Sequence, residues 1–145
     1  MKKTFITNNS KQTQELGELL AGELRGGEII CLSGELGSGK TTFSQGVLRG
    51  LGAKEPFTSP TFVVMKQYKI KATAKKSEPV NIYHIDAYRV SGKDILDLGW
   101  EEITAGKKNV VIVEWAERIK NIIPKNAVWI KFEHKSKNER EITIC

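Results

Sequence analysis

Apolar positions recur along this chain in two rhythms, and the switches between them mark out its elements. Leu16, Leu19, Leu20 and Leu24 fall at i, i+3, i+4 and i+8, which gives one apolar helix face. Asn9, with Gln12 three positions on, has the pattern of a capped start for that helix, and Gly26-Gly27 closes it. Residues 28–33 then form a short, nearly unbroken apolar run of the kind that fills a buried strand, with a glycine-rich loop behind it. Phe43, Val47, Leu48 and Leu51 give the inner face of a second helix, closed by Gly50 and Gly52.

Residues 62–70 partly alternate and are rich in β-formers, so they predict a strand. The polar stretch 71–79 reads as a loop, and residues 80–85 as a strand that delivers Asp86 at its end. A short helix is expected over 94–100. Val110-Val111-Ile112-Val113 is a continuous apolar strand that delivers Glu114. Residues 127–133 alternate, and Ile142 and Ile144 follow the turn-like Lys135-Ser136-Lys137-Asn138, which predicts a closing antiparallel hairpin. Strands alternating with helices, then strands alone, imply a three-layer α/β sandwich whose mixed, mostly parallel sheet has an antiparallel C-terminal edge.

Length and composition narrow this. The chain has 145 residues, enough for one core, so 1–145 is read as a single domain. With 39% hydrophobic and 28% charged residues and 4 Pro against 13 Gly, it is a folded chain and not a disordered or fibrous one. No apolar stretch approaches the roughly 20 residues that cross a bilayer, and Met1-Lys2-Lys3 leads into Asn8-Asn9-Ser10 without the h-region of a signal peptide. No membrane partner and a cytoplasmic location are therefore expected. The net charge of +6 suits an anionic partner such as a nucleotide, RNA or an acidic protein face. The excess lies at Lys66, Lys69, Lys71, Lys75 and Lys76 and again at Lys131, Lys135, Lys137 and Arg140, although such runs are most often solvated faces. Cys31 and Cys145 have no zinc-like spacing and read as free thiols.

Gly34-Glu35-Leu36-Gly37-Ser38-Gly39-Lys40-Thr41 matches G-x-x-x-x-G-K-[ST] in full, between a predicted strand and a predicted helix. Its glycines let successive N–H groups point inward, and the helix start adds a positive dipole end. Lys40 can neutralise β- and γ-phosphate oxygens, and the Thr41 hydroxyl can ligate Mg²⁺. Each feature favours a triphosphate on a P-loop NTPase-like sandwich. Hydrolysis also needs a carboxylate for the metal and a group that orients water. Asp86 and Glu114 both end apolar strands, where parallel sheets place their ligands, and position alone does not say which of them holds the metal. His84 reads as a packed, hydrogen-bonded strand residue rather than an acid or base. Thr58-Ser59-Pro60-Thr61 lies about twenty residues past the P-loop, where some P-loop enzymes carry a switch for the γ-phosphate, or is a simple Pro turn. Trp100 and Trp115 are stacking candidates, with core packing the commoner role.

Together the P-loop with Thr42-Phe43, Ser59-Pro60-Thr61-Phe62, His84-Ile85-Asp86-Ala87-Tyr88-Arg89 and Val113-Glu114-Trp115 resemble the TsaE (YjeE) family, in that family's order and over nearly the whole chain. The resemblance implies a P-loop ATPase of bacterial tRNA threonylcarbamoyladenosine synthesis. Such a protein joins TsaB and TsaD, which transfer the threonylcarbamoyl group to tRNA, and does not itself transfer it. Contact with tRNA would then be indirect, through that complex. It further implies ATP held by Leu36, Gly37, Ser38, Gly39, Lys40, Thr41 and Thr42, with ADP as product and Mg²⁺ held by Thr41 and Glu114. Lys40 and Asp86 are the implied catalytic residues, and Ser59 and Thr61 the switch-like pair. Ser10, Thr13 and Asn138 are the implied adenine contacts. The stretch between Phe62 and Ile82 is longer and more basic than is usual in the family.

Three rival readings meet the same residues. A small kinase would share the P-loop, but the five arginines, Arg25, Arg49, Arg89, Arg118 and Arg140, form no clustered lid. A GTPase would need an Asn-Lys-x-Asp sequence, which is missing from the chain. A nucleotide-gated RNA-binding module would keep its tRNA affinity when hydrolysis is lost. With no evident arginine finger beyond Arg89 as a candidate in cis, turnover is expected to be slow alone and partner-activated.

Overall fold

The computed structural model describes residues 2–58, 60, 63–70 and 79–145. Its elements are β1 (Lys3–Thr7), α1 (Ser10–Ala21), β2 (Ile29–Gly34), α2 (Lys40–Gly50), β3 (Met65–Lys69), β4 (Asn81–Asp86), α3 (Gly92–Asp97), α4 (Trp100–Ala105), β5 (Asn109–Glu114), a 3₁₀ segment (Ala116–Ile122), β6 (Val128–His134) and β7 (Arg140–Ile144). The seven strands form one sheet in the order β1-β7-β6-β2-β5-β4-β3.

The unbroken apolar strands occupy the centre because both their faces are covered. On β2, Ile30 and Leu32 point to the side of α1 and α2, packing with Phe43, Val47, Leu48, Ile112 and Phe132. Ile29 and Cys31 point to the other side, with Ile95, Trp100, Val111, Val113 and Ile119. This is the expected three-layer sandwich. β6, β2, β5 and β4 are mutually parallel, so β2, β4 and β5 deliver Gly34, Asp86 and Glu114 to the same sheet end. Antiparallel pairing occurs at both margins: β7 joins β6 and β1 on one side, as the closing hairpin predicts, and β3 joins β4 on the other.

Local differences from the expected pattern have packing causes. Asn9 caps α1 by accepting the Gln12 N–H at 2.8 Å, while the Gln12 side chain accepts the Asn8 N–H. The helix stops at Ala21, short of Gly26-Gly27, and Leu19 is 72% exposed. Its buried stripe is Thr13, Gly17 and Ala21, because α1 crosses α2 at glycine contacts. A Cβ on Gly46 would lie 2.1 Å from the Gln14 carbonyl oxygen, and one on Gly17 would lie 2.4 Å from that of Phe43. The helix expected over 94–100 is two helices, divided at Gly99 with φ 93°, and a Ser91–Asp94 capping box opens the first. β3 starts at Met65 because Val63 and Val64 turn back on the Pro60 carbonyl; Phe62 lies outside the described residues. The residue pattern announces neither β1 nor the 3₁₀ segment: among the described residues β1 pairs only with β7, and it leaves Ile6 49% exposed.

Gly46→Ala is expected to destabilise the protein by about 1–3 kcal/mol, since the obstructing atom is backbone and cannot rotate away. At roughly 2–4 °C per kcal/mol for a chain of this size, a calorimetric Tm within a degree of wild type would show that the two helices separate freely.

Candidate functional site

The P-loop joins the end of β2 to the start of α2. The Ser38 N–H closes a turn onto the Glu35 carbonyl at 3.1 Å, and Gly37 (φ 76°) and Gly39 (φ 105°) take left-handed conformations that a side chain would strain. The first amides of α2 are thereby left at the loop's concave face, where an anion can satisfy them. The Ser38 hydroxyl is buried there with no partner among the described residues.

Lys40, at the first position of α2, folds back inside this curve. Its Nζ donates to the Gly34 carbonyl and, at 3.0 Å, to that of Glu35, and lies 3.8 Å from the centroid of the Trp115 ring. Burial pushes the ammonium's pKa down, against the opposing pull of Glu117, Glu114 and Asp86. A desolvated cation held by carbonyls and a ring face gains from an incoming phosphate.

Glu114 is the carboxylate that lines the site. Its Oε1 accepts from the Thr41 hydroxyl at 2.8 Å and its Oε2 contacts His84 Nε2 at 2.5 Å. Burial pushes this carboxyl up, but the His84 hydrogen bond and charge, the Thr41 hydroxyl and Lys40 together hold it below the usual carboxylate range. His84 is buried, with Nδ1 unpartnered among the described residues. It is a packed, hydrogen-bonded strand residue, and what it packs against is the carboxylate. Trp115 follows Glu114 at φ 59°, and Val64 at φ 67° accepts the Asp86 N–H at 2.8 Å. Left-handed backbone at a β-branched or aromatic residue is uncommon, and both instances flank the carboxylate-bearing strand ends.

These elements enclose a pocket of about 360 Å³. Ser10 and Thr13 reach it from α1, residues 36–42 from the P-loop and α2, and Asn138 from the β6–β7 turn. All ten residues singled out for the nucleotide therefore share one cavity, which Glu114 also lines. Asp86 sits opposite Glu114 in the parallel register but is not among the lining residues. Its Oδ1 accepts the Tyr88 N–H at 2.9 Å. The Thr13 hydroxyl is tied to Thr7 at 2.7 Å, so Thr13 turns its methyl toward Gly39. Arg89 is exposed and does not line the pocket, whereas Trp100 is core, donating to the Ile122 carbonyl. The switch-like Ser59 and Thr61, and Lys71, Lys75 and Lys76 of the basic stretch, lie outside the described residues.

Three lining residues escaped sequence reading as pocket components: Asn9, read only as a helix cap, and Lys137 and Arg140, read only as part of a charge cluster. The one signal for the last two was their place beside Asn138.

Among the described residues no group of three or more His, Cys, Asp or Glu could bind a metal on its own. The Thr41–Glu114 oxygens nonetheless converge beside a phosphate cradle. One hydroxyl and one carboxylate, joined by the oxygens of a phosphate, would make a donor set that suits Mg²⁺, which keeps waters and seldom takes an all-protein cage. Among the described residues no helix is long and apolar enough to cross a membrane.

Comparison with known proteins gives the chain's family. The family described as "Threonylcarbamoyl adenosine biosynthesis protein TsaE" matches residues 7–142. A Bacillus subtilis protein named tRNA threonylcarbamoyladenosine biosynthesis protein TsaE is 35% identical over 138 residues, 95% of this chain and 82% of its own. Its Treponema pallidum namesake is 32% identical, with 97% of this chain and 98% of its own covered. The crystal structure of Bacillus subtilis YdiB superposes with a TM-score of 0.76 at 30% identity, covering 99% of this chain and 84% of that one. Matched in sequence and in fold across nearly its whole length, this chain belongs to the TsaE family.

Proposed function

We propose that this chain is the Mg²⁺-dependent ATPase component of bacterial tRNA threonylcarbamoyladenosine formation, acting with TsaB and TsaD and not itself transferring the threonylcarbamoyl group. The observation that carries this reading is the convergence of Lys40, Thr41 and Glu114 on one P-loop cavity, in a family whose relatives carry that pathway in their names.

In this reading the P-loop amides and the α2 dipole receive the phosphates of ATP. Lys40 exchanges its carbonyl partners for phosphate oxygens, a stronger partner for a desolvated ammonium. Thr41 and Glu114 would hold Mg²⁺, which supplies charge neutralisation at the phosphates. Glu114 enters that role already ionised, because His84 and Thr41 stabilise its charge. Asp86 has one oxygen engaged by the Tyr88 amide, and its second is assigned to accept a hydrogen bond from the attacking water. ADP leaves as product.

Arg89 and Arg118 are exposed and do not line the cavity, and Arg140, which does line it, has its guanidinium engaged by the Gly37 carbonyl and by carbonyls of the β6–β7 turn. Slow turnover alone follows. A cation supplied in trans is worth about 10³–10⁵ in rate in other P-loop proteins. The test is steady-state ATP hydrolysis by the purified protein, alone and with TsaB–TsaD, with Lys40→Ala as control. Strong stimulation that vanishes in the control is expected. Measurable ATP binding with equal, negligible turnover in every mixture would instead identify a nucleotide-gated binding module.

A further inference from the structure

Arg140 opens β7 half-buried, and no function considered so far has used it. Its Nε donates to the Gly37 carbonyl of the P-loop at 3.3 Å. Its Nη1 lies 3.2 Å from the Ser136 and Lys137 carbonyls and 3.0 Å from that of Glu139. One guanidinium thus ties the turn between β6 and β7 to the loop that cradles phosphate. Across the hairpin, His134 Nε2 stands 3.3 Å from the Leu36 carbonyl, a second link between the same two segments. The turn is further held by Ser136, whose hydroxyl bonds the Glu139 carboxylate and accepts the Glu139 N–H. Lys137 and Asn138, at its tip, are thereby pressed against the pocket.

The pocket has two chemically different regions. Lys40, Thr41 and Glu114 supply charge and metal-type donors, whereas Asn9, Ser10 and Asn138 supply amides and a hydroxyl, with the cation Lys137 beside them on the turn. The second set suits a base and ribose. We propose that Arg140 is a positioning residue for the nucleoside half of the ligand: by fixing the 135–139 turn to the P-loop it sets affinity for a nucleoside triphosphate without binding the phosphates. The proposal rests on the nucleotide-binding reading above. Its chemistry requires arginine, since a planar fork can serve Gly37 and the converging turn carbonyls together, and a lysine ammonium cannot span them.

Equilibrium titration of wild type, Arg140→Ala, Arg140→Lys and Asn138→Ala with ATP and with inorganic tripolyphosphate tests this. Both Arg140 variants are expected to bind ATP about tenfold more weakly, as for loss of one hydrogen bond to a charged group, with tripolyphosphate affinity changed less than about twofold. Combining Arg140→Ala with Asn138→Ala should add little to either alone, because the first already releases the turn. At saturating ATP, kcat is expected to stay within about twofold of wild type while KM rises. Equal weakening of tripolyphosphate, or recovery of ATP affinity in Arg140→Lys, would make Arg140 a phosphate contact and overturn the proposal. Unchanged ATP affinity in Arg140→Ala would overturn it too. Arg140→Lys keeps the charge and decides the matter should Arg140→Ala not fold. Failure of the wild type itself to bind ATP would overturn the nucleotide-binding reading, a result distinct from an unchanged variant.

Discussion

Glu114→Gln is expected to lower Mg²⁺-dependent ATP turnover by about 100-fold or more while leaving the fold in place. The side chains are the same size, and a glutamine carbonyl can still accept from His84 while its amide faces the Thr41 hydroxyl, so the buried contacts at 2.5 and 2.8 Å keep partners. What disappears is the negative charge beside the phosphate cradle. Losing a group one bond further from a metal already costs roughly 10–100-fold, which makes about 100-fold a lower bound for the assigned ligand. The measurement is turnover against Mg²⁺ concentration, with metal-free nucleotide affinity as reference. A wild-type Mg²⁺ dependence in the variant would sink the metal assignment, and Asp86, its register neighbour, would be the next candidate.

Val110-Val111-Ile112-Val113 and residues 28–33 declare buried parallel strands because an alternating pattern would waste one covered face. That Glu114 at the end of β5 and Asp86 at the end of β4 share the P-loop's sheet end follows from topology, since parallel strands deliver their C-termini to one side. Gly-rich loop, lysine and threonine are a local pattern, fixed by backbone conformation within eight residues.

Features that depend on distant partners were not legible. The leucine periodicity over 16–24 holds for Leu16, Leu20 and Leu24, which pack on the core, and fails at Leu19, which is exposed; the most buried stripe of α1, Thr13–Gly17–Ala21, is set by its close crossing with the glycines of α2. Likewise β1 exists because β7 offers it an edge, and Arg140 reaches Gly37 across 103 positions of sequence. His84 could be read as a packed residue, but the carboxylate it holds lies 30 positions away on a neighbouring strand. Position alone left Asp86 and Glu114 equivalent. The structure separates them: the Thr41 hydroxyl and the cavity both reach Glu114, while Asp86 is turned to its own backbone at Tyr88.

His84→Ala is expected to be the reverse case, costly to the fold first and to turnover as a consequence. Glu114 is 4% exposed, and removing His84 takes away the partner that most offsets its burial. Breaking a buried pair from one side typically costs about 3–5 kcal/mol, because the remaining charge stays desolvated. At about 2–4 °C per kcal/mol, the Tm should fall by roughly 6–20 °C. Glu114→Gln should fall far less, since it removes the charge and not the hydrogen-bond partner. The two variants also separate with pH. In wild type the folded Glu114 carboxyl sits below its ordinary 4.5, so its contribution to stability is present above that value and is lost as pH falls through the folded value. Glu114→Gln has no proton to take up there, and its urea midpoint should decline less steeply than wild type below about pH 4.5. Should His84→Ala melt with wild type at neutral pH, the buried contact at 2.5 Å would not be what keeps Glu114 ionised and aimed at Thr41.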